Sequence, residues 1–373
     1  MDRETLYVMA LTRVPKLNCG QMHMLAEAPG GITAVYENRR DIRAVIPDAS
    51  PLLGEYLMAM DTILPRCEEE MAWAERRGIQ CISTFDSRYP ARLRECDDAP
   101  LMLYYCGTSD LNKRRIVSMV GTRNITDYGR QTCERFIREL AELCPDVLVM
   151  SGLAYGIDIQ CHRQALHSGL ETIGVLAHGL DHIYPALHRD TAKEMVQKGG
   201  LLTEFMSRTN VEKRFFLQRN RIVAGCADAT IVVESASHGG SLATAEMAQG
   251  YGKEVFAFPG RISDSRSEGC NRLIADNTAA LLTCAEDFVR AMGWDGDKEL
   301  HRKAASGIQQ ELFPVLTDEE QLVVKVLRDK EKLQQNVISV TTGIPAGKLI
   351  GLLFAMEMKG IVRMIPGGMY RLN

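Results

Sequence analysis

The stretch that decides the fold is RRIVSMVGTRNITDYGR, residues 114–130. It begins with a short apolar, β-branched run and passes through Gly121 into a polar turn and a helical pattern. Glycine lets the chain turn sharply and leaves amides free in front of the next helix, where an anion is favoured. Thr122 and Arg123 add a hydroxyl and a guanidinium. The pattern predicts a βα unit with an anion-binding turn.

Similar apolar runs recur downstream, separated by helical stretches: DVLVMSG (146–152), ETIGVLAHG (171–179), GLLTEF (200–205), ATIVVESA (229–236) and KEVFAFPG (253–260). Near-continuous apolar strands that alternate with helices are typical of a parallel sheet covered on both faces. The predicted fold class is therefore α/β, with a Rossmann-like doubly wound parallel sheet as its core. In such sheets ligands bind at the carboxyl ends of the strands.

The remaining segments predict further domains around this core. Residues 1–75 show short helices with Gly-ended turns and are expected to form an N-terminal helical domain of the SAM or helix-hairpin-helix type. The Rossmann-like domain spans residues 76–295. Residues 296–312 lose apolar periodicity and are expected to be a linker. Residues 313–373 show three helical patterns and two short strands around Pro-Gly-Gly, which predicts a winged-helix domain.

Composition limits the partners of the protein. The 373 residues carry a formal net charge of −4, so a site for nucleic acid must be a local patch. The eleven cysteines include no C-x-x-C pair, which favours reduced thiols in the cytoplasm. The N-terminus has no signal-peptide pattern, and no run approaches the ~18 apolar residues of a membrane span. We therefore expect a cytoplasmic protein without membrane association.

A second glycine-bearing turn, SGLAYGIDIQCH (151–162), follows the next strand. Because adjacent parallel strands end at one edge, Ser151, Gly152 and Gly156 are expected to join the first turn in one anion pocket. Asp158 is either a charge at a helix N-terminus, the favoured interpretation, or a catalytic carboxylate. His162, one turn later, is expected to be a hydrogen-bonded helix histidine rather than a base.

The third turn, AHGLDHIYPALHRD (177–190), invites a metal hypothesis because it holds His178, Asp181, His182, Tyr184 and His188. His178 and His182 are four residues apart, but Pro185 places the group on a loop instead of a helix, and H-E-x-x-H is absent. The dinucleotide fingerprint G-x-G-x-x-G is also absent from the first turn. No metal and no cofactor is therefore predicted.

A basic segment interleaved with aromatics follows at residues 208–221. Five cations against Glu212 give a local charge of +5 − 1 = +4, the cations being Arg208, Lys213, Arg214, Arg219 and Arg221. Single-strand binding needs such a mixture, because phosphates meet cations while bases stack on rings. Of Phe215 and Phe216, we expect one to pack into the core.

The segment SHGGSLATAE (237–246) is expected to close the pocket. Gly239 and Gly240 allow close approach of the backbone, and Ser241 is placed as a helix N-cap or a phosphate donor. If the protein hydrolysed a nucleotide N-glycosidic bond, Glu246 would be the natural acid or base.

Six motifs, in this order, closely resemble the DNA processing protein A (DprA/Smf) family: VGTRNITDYG, SGLAYGID, GLDHIYP, FLQRNRIVAG, ESASHGGSLATAEMA and VFAFPGRISDSRSEGCNRLI. The resemblance runs through about residues 75–290. It implies a non-enzymatic, homodimeric single-stranded DNA-binding protein that hands the strand to a RecA-type recombinase during natural transformation.

Carried over by motif, the resemblance implies that the DNA strand contacts Gly121, Thr122, Arg123, Ser151, Gly152, Gly156, Asp158, Lys213, Phe216, Arg219, Asn220, Arg221, Gly240 and Ser241. In that set Arg123 and the amides of Gly121 and Gly152 would hold phosphates, and Phe216 would stack a base. Two departures from the family pattern concern loop geometry. Leu217 stands where the family often has proline, and Asn277–Thr278 replace a frequent Gly-Ala.

Two other classes of function remain open. Phosphoribohydrolases of the lysine-decarboxylase-like type carry P-G-G-x-G-T-x-x-E, which SHGGSLATAE matches only in part. A scaffold that binds promoter DNA through the winged helix is the third class. Residues 317–373 hold eight Lys/Arg and six Asp/Glu, and the helix expected to enter the groove is mostly apolar. We therefore predict that this region binds protein or packs internally.

Overall fold

The computed structural model describes residues 2–295, 316–328, 330, 332–365 and 369–372. The chain divides into two compact units, Met1–Trp294 and Asp295–Asn373. The predicted linker 296–312 lies outside the described residues. The predicted domain boundaries stay predictions, because the first unit contains both the N-terminal helices and the predicted Rossmann-like core.

The first unit begins with helices, as expected: α1 (Arg3–Leu11), α2 (Cys19–Ala26), α3 (Gly31–Glu37), a 3₁₀ turn (Ile42–Ala44), α4 (Pro51–Leu57) and α5 (Met60–Arg76). Asp2 caps α1 by accepting hydrogen bonds from the amides of Glu4 and Thr5, both at 3.2 Å. The buried side chains of these helices share one apolar cluster with Met102 and Tyr104 of the sheet. The helices therefore pack on the sheet edge rather than stand apart.

In residues 2–295 the strands form a nine-stranded sheet, ordered β1-β2-β6-β5-β4-β3-β7-β8-β9. The strands are β1 (Gln80–Ser83), β2 (Met102–Gly107), β3 (Ile116–Val120), β4 (Leu148–Ser151), β5 (Glu171–Val175), β6 (Gly199–Thr203), β7 (Ala229–Val232), β8 (Glu254–Ala257) and β9 (Ala280–Leu281). β3 to β9 run parallel, whereas β1 and β2 add an antiparallel edge. All six apolar runs are confirmed as strands; the antiparallel edge and β9 were missed.

Helices cover both faces of the sheet: α6 (Ala91–Arg94), α7 (Asp127–Leu143), α8 (Ile157–His167), a 3₁₀ turn (Ala186–His188), α9 (Arg189–Gln197), α10 (Lys213–Gly225), α11 (Gly240–Gly250), α12 (Glu268–Ala275) and α13 (Ala285–Ala291). Side chains alternate along β3, so Val117 faces the cluster of α7, α8 and α13 while Ile116 faces that of α10 to α12. From β3 the chain adds β4, β5 and β6 on one side of that strand and then returns to add β7, β8 and β9 on the other side. The strand order therefore reverses at β3 and β7, which is where an α/β sheet opens a crevice.

The second unit contains α14 (Asp318–Arg328), β10 (Leu333–Gln334), α15 (Gln335–Thr342), α16 (Ala346–Met358), β11 (Val362–Ile365) and β12 (Met369–Leu372). Its strands form an antiparallel sheet in the order β10-β12-β11. Val323, Ile338, Leu349 and Leu353 are fully buried between the helices. The three helices and the two strands around Pro-Gly-Gly are confirmed, and β10 was missed. The winged-helix assignment itself stays a prediction.

The described helices were also compared with the length and hydropathy of a membrane span. None of them is long and apolar enough to cross a membrane alone; α15 and α16 reach that length and composition only as a pair bent by 110°.

Candidate nucleic-acid interface

The first two glycine turns lie against each other at the carboxyl ends of β3 and β4, as expected. Ile157 donates its amide to the carbonyl oxygen of Thr122 at 3.1 Å. Gly156 has a positive φ of 80°, and a Cβ there would collide with Thr122 and Arg123 backbone atoms. Only glycine lets these turns meet so closely.

Glu234, which ends the run of β7, holds the first turn in place. Its buried carboxylate accepts hydrogen bonds from the Thr126 amide at 3.0 Å and the Thr126 hydroxyl at 2.6 Å. Its carbonyl oxygen accepts the amide of Thr122 at 2.7 Å. The expectation that this turn leaves its amides free is wrong for Thr122 and Thr126. The sequence analysis missed Glu234, although a carboxylate ending an apolar strand at the ligand edge was a usable signal.

The exposed part of the site joins a cation to an aromatic ring. The guanidinium carbon of Arg123 lies 5.2 Å from the ring centroid of Phe216, which is half-buried at the start of α10. Tyr184, 47% exposed, lies beside Phe216 with centroids 6.0 Å apart. Phe215 instead contacts buried Phe205, with ring centroids 4.5 Å apart, but is itself only half-buried, so the expectation that one phenylalanine packs into the core stays a prediction. Lys213 is exposed in the same turn of α10.

Arg219 lies beneath the second turn instead of on the surface. Its guanidinium donates to the carbonyl oxygen of Val175, and a Cβ on Gly152 would collide with both Arg219 and Asp158. Burial lowers the pKa of Arg219 to about 10, against the opposing effect of Asp158. Burial also raises the pKa of Asp158, against the opposing charge of Arg219. The structural interpretation of Asp158 is favoured, because its buried carboxylate, in the first turn of α8, lies beside Gly152 as the buried guanidinium of Arg219 does.

Hydrogen bonds below the crevice satisfy the remaining polar groups of the second turn. His162 is fully buried, with Nδ1 2.7 Å from the Thr172 hydroxyl and Nε2 2.5 Å from the carbonyl oxygen of Gly152. Ser151 donates its hydroxyl to the carbonyl oxygen of Met119 at 2.5 Å. Burial lowers the pKa of His162 to about 4. The prediction of a hydrogen-bonded helix histidine is confirmed.

The N-terminus of α11 forms the third side of the crevice. Gly239 occupies the N-cap position and no side chain caps the helix, so of the two alternatives for Ser241 the N-cap is wrong, and the phosphate donor stays a prediction. The buried Ser241 hydroxyl lies 2.9 Å from that of Ser235. Asn220 donates its side-chain amide to the carbonyl oxygen of Gly240 at 3.2 Å, which ties α10 to α11. Glu246 lies exposed farther along α11.

Arg221 is directed elsewhere. It forms an ion pair with Glu204 at 2.7 Å and lines a cavity beside the end of α1 and the start of α2. Burial raises the pKa of Glu204, although Arg221 opposes the change. The structure therefore does not bring Arg221 together with Arg123 and Phe216.

The histidine-rich third turn is held by local contacts. His178 and His182 stack with centroids 4.4 Å apart, and Asp181 lies 3.3 Å from Nδ1 of His182. His188 instead approaches the carbonyl oxygen of Leu153 at 2.9 Å. Within the described ranges, no three His, Cys, Asp or Glu side chains are grouped as a metal site requires.

Comparison with known proteins decides the family. The profile of the family described as DNA recombination-mediator protein A matches residues 80–293. The chain belongs to this family. A putative DNA processing protein DprA of Mycobacterium tuberculosis is 32% identical over 372 residues, covering 96% of this chain and 92% of the relative. Protein Smf of Escherichia coli is 31% identical, covering 82% of this chain and 81% of the relative.

Two solved structures of the family agree with the fold. The crystal structure of DNA processing protein A from Streptococcus pneumoniae superposes with a TM-score of 0.65 and 31% identity, covering 78% of this chain and 98% of that one. The Helicobacter pylori protein, whose structure was described for its single-stranded DNA binding mode, gives 0.53 and 29% identity and covers 58% and 96%. The α/β fold with a mostly parallel central sheet is thus shared with the family.

The two departures from the family motifs leave the surrounding elements intact. Asn277 adopts a left-handed φ of 55°, a conformation that asparagine tolerates better than most residues. Leu217 lies within α10 and is 51% exposed. Leu217 does not interrupt α10, which contains it, and Asn277 lies just after the end of α12.

Proposed function

We propose that this protein binds single-stranded DNA without catalysing a reaction and acts as a recombination mediator. The observation that carries the proposal is the placement of Arg123 over the ring of Phe216, which come from the turn after β3 and the start of α10. A cation beside a stacking surface suits a strand that offers phosphates and bases in alternation. Membership of the recombination-mediator family and the single-stranded DNA binding mode described for the Helicobacter pylori relative support it.

The exposed and buried residues of the predicted set take different parts in this proposal. Arg123 and Lys213 neutralise phosphates, Phe216 stacks a base, and the uncapped start of α11 at Gly240 offers amides to a further phosphate. Other residues position these groups: buried Ser151, Gly152, Asp158, Arg219 and Ser241 and half-buried Gly156 shape the turns below the strand. Arg221 belongs to a separate ion pair.

Partners beyond DNA follow from the family resemblance. We propose that a homodimer hands the strand to a RecA-type recombinase in the cytoplasm, during natural transformation or homologous recombination. The second unit, with its predicted winged-helix architecture, acts in this proposal as a packing or protein-binding module. The alternative, a nucleotide phosphoribohydrolase, would use Glu246, which no hydrogen bond or ion pair orients among the described residues.

The test is fluorescence anisotropy of labelled oligo-dT over a salt series, with a nucleoside monophosphate as competitor. We expect the wild-type protein to bind tightly. The logarithm of its binding constant should fall by ~0.7 per tenfold increase in salt for each phosphate that the protein neutralises. Arg123→Ala and Phe216→Ala should each weaken binding at least tenfold. Arg138→Ala, an exposed arginine of α7 outside the crevice, is the matched control.

Two results would contradict the proposal. Affinity that does not change between low and moderate salt would rule out a phosphate-dominated site. Release of free base from the monophosphate, lost in Glu246→Gln, would make the protein a hydrolase.

A further inference from the structure

A second basic surface lies on the other side of α10. A cavity of about 710 Å³ opens between α1, α5, the segment after β6 and the start of α10. Its lining includes the aromatic ring of Phe215 and four arginines, Arg13, Arg66, Arg208 and Arg214, against a single acid, Glu212. We call this space the arginine cavity. Four cations around one apolar ring resemble the chemistry of the crevice more than that of a packing defect.

The floor of the arginine cavity is held rigidly. Arg66 donates to the carboxylate of Glu70 at 2.7 Å and to the carbonyl oxygen of Ser207 at 2.8 Å. Buried Glu70 also accepts the amide of Ser207 at 2.7 Å. These bonds join α5 to the segment after β6, which lies 137 residues farther along the chain. Such a preorganised wall reduces the entropy lost when a ligand binds.

The arginine side chains around the rim form at most exposed ion pairs with the rest of the protein. The side chain of Arg13 is exposed and makes no hydrogen bond or ion pair with the described residues. Arg208 lies 3.4 Å from Glu69, with both side chains mostly exposed, and Arg214 lies 2.7 Å from exposed Glu212. Exposed pairs of this kind contribute only ~0–1 kcal/mol. A phosphate can therefore displace the acids at little cost.

Arg208 also has a strained backbone. Its φ of 60° is a left-handed conformation that most side chains avoid. Strain of this kind is concentrated at ligand clamps, where the surrounding structure maintains it. Here Glu70 and Arg66 bind Ser207, the residue before Arg208. These bonds fix the backbone at Ser207 and direct Arg208 to the rim.

Phe215 and Phe216 connect the two basic surfaces. Phe216 lies with Arg123 in the crevice, whereas Phe215 lines the arginine cavity with the guanidinium carbon of Arg214 5.0 Å from its ring centroid. Consecutive residues of one helical turn thus each carry an aromatic ring with its own cation. Lys213 is exposed in the same turn.

From these observations we infer that the arginine cavity is a second phosphate-binding segment for the same DNA strand, which crosses the first turn of α10 after it leaves the crevice. The ligand is the phosphodiester backbone of single-stranded DNA, bound without reading its sequence. This inference rests on the proposed function. It adds that long strands use contacts which short strands do not reach.

The experiment measures the affinity of the full chain for oligo-dT of about 6 and about 20 nucleotides, which bracket the ~4–16 nucleotides bound by single-strand modules. We expect Arg13→Glu to weaken binding of the longer strand about tenfold, with a salt slope shallower by ~0.7 for each lost phosphate contact. Binding of the short strand should change less than twofold. Arg138→Glu, with the same charge change on α7, is the control.

A second variant avoids any folding penalty. Arg208→Gly removes the cation and relieves the left-handed backbone, so it should fold at least as well as the wild type and bind the long strand about fivefold more weakly. Lys16→Gly is its matched control, because Lys16 also has a left-handed φ, 68°, and is not among the residues lining the arginine cavity.

The outcomes separate the two proposals. If neither length binds to wild type, both proposals fail. If both lengths bind and depend on Arg123, but Arg13→Glu and Arg208→Gly affect them equally or not at all, only the arginine cavity is refuted. Inorganic pyrophosphate or a nucleoside triphosphate whose binding requires Arg13, with no effect on the long strand, would instead assign the cavity to a small anion.

Discussion

The crevice at β3 and β7 and the second unit distribute charge in opposite ways. In the crevice, charged groups are buried beneath the turns, where Asp158 and Arg219 flank Gly152, while Arg123 stays exposed above them. In the second unit the core is apolar apart from Glu320, whose buried carboxylate pairs with half-exposed Lys359 at 2.6 Å, and α16 also exposes apolar side chains, with Phe354 65% exposed. A buried charge network costs stability and is expected where geometry must be exact at a binding site. The contrast supports the proposal that the first unit binds DNA and that the second unit has a different role.

The largest effect should come from breaking the buried charge pair. Arg219→Met leaves the Asp158 carboxylate buried without its cation, and such a loss costs ~3–5 kcal/mol of unfolding free energy. Urea unfolding measures this change. The double variant Arg219→Met with Asp158→Asn should recover a large part of it, because no uncompensated charge remains. An unchanged unfolding midpoint in Arg219→Met would show that the two groups are not coupled.

The next effect is a dependence of stability on pH that belongs to the crevice. An unfolded histidine takes up a proton below about pH 6.5, whereas burial holds the pKa of His162 in the folded protein at about 4. The unfolded state therefore binds more protons between these values, so stability is complete above pH 6.5 and is lost as the pH falls toward 4. The shift of the His162 pKa from 6.5 to about 4 corresponds to ~3 kcal/mol of unfolding free energy.

Unfolding by urea at several pH values tests this prediction. His162→Gln should remove that part of the pH dependence, and His167→Gln, an exposed histidine of the same helix, should keep it. His178 and His188 also have pKa values lowered by burial. The test therefore uses the difference between wild type and variant in the slope of unfolding free energy against pH. Identical slopes in wild type and His162→Gln would contradict the assignment.

A smaller effect tests whether Arg123 and Phe216 act together. A double-mutant cycle with Arg123→Ala and Phe216→Ala, measured on single-stranded DNA, should give a coupling energy of ~0.5–1 kcal/mol, the range of an exposed cation–π contact. Arg214→Ala with Phe216→Ala is the control cycle, because Arg214 lies over Phe215 instead. Strictly additive losses in the first cycle would show that the two side chains bind DNA independently.

The smallest effect concerns the exposed face of the second unit. Phe354→Ala should change stability by less than ~0.5 kcal/mol and single-strand affinity by less than twofold, because this side chain is largely exposed. Its neighbour Leu353 is fully buried, and Leu353→Ala should cost ~2–5 kcal/mol in the unfolding of this unit. A large loss of DNA affinity in Phe354→Ala would remove the contrast between the two units.

Much of the fold could be predicted from local pattern. Strands β3 to β8 were visible because each is an apolar run bounded by glycine or polar residues, and alternation with helices indicates parallel order. The antiparallel edge was missed because β2 pairs with β6, about 100 positions farther along the chain, and β1 joins the sheet only through β2. In the site, the exposed Arg123 and the close glycine turns followed from their motifs, whereas Glu234 acts through a contact with Thr126, 108 residues earlier.

Arg219 and Arg221 show which property of a residue the sequence alone does not determine. Their spacing on α10 determined that they point about 200° apart, because each helical residue turns the chain by ~100°. Which arginine would be buried beneath the crevice was decided by Asp158 and Glu204, carboxylates from two different segments of the chain. Periodicity is a local property that the sequence carries by itself. The partner of a buried charge is a long-range property, and only the packed sheet, by bringing those segments together, decided it.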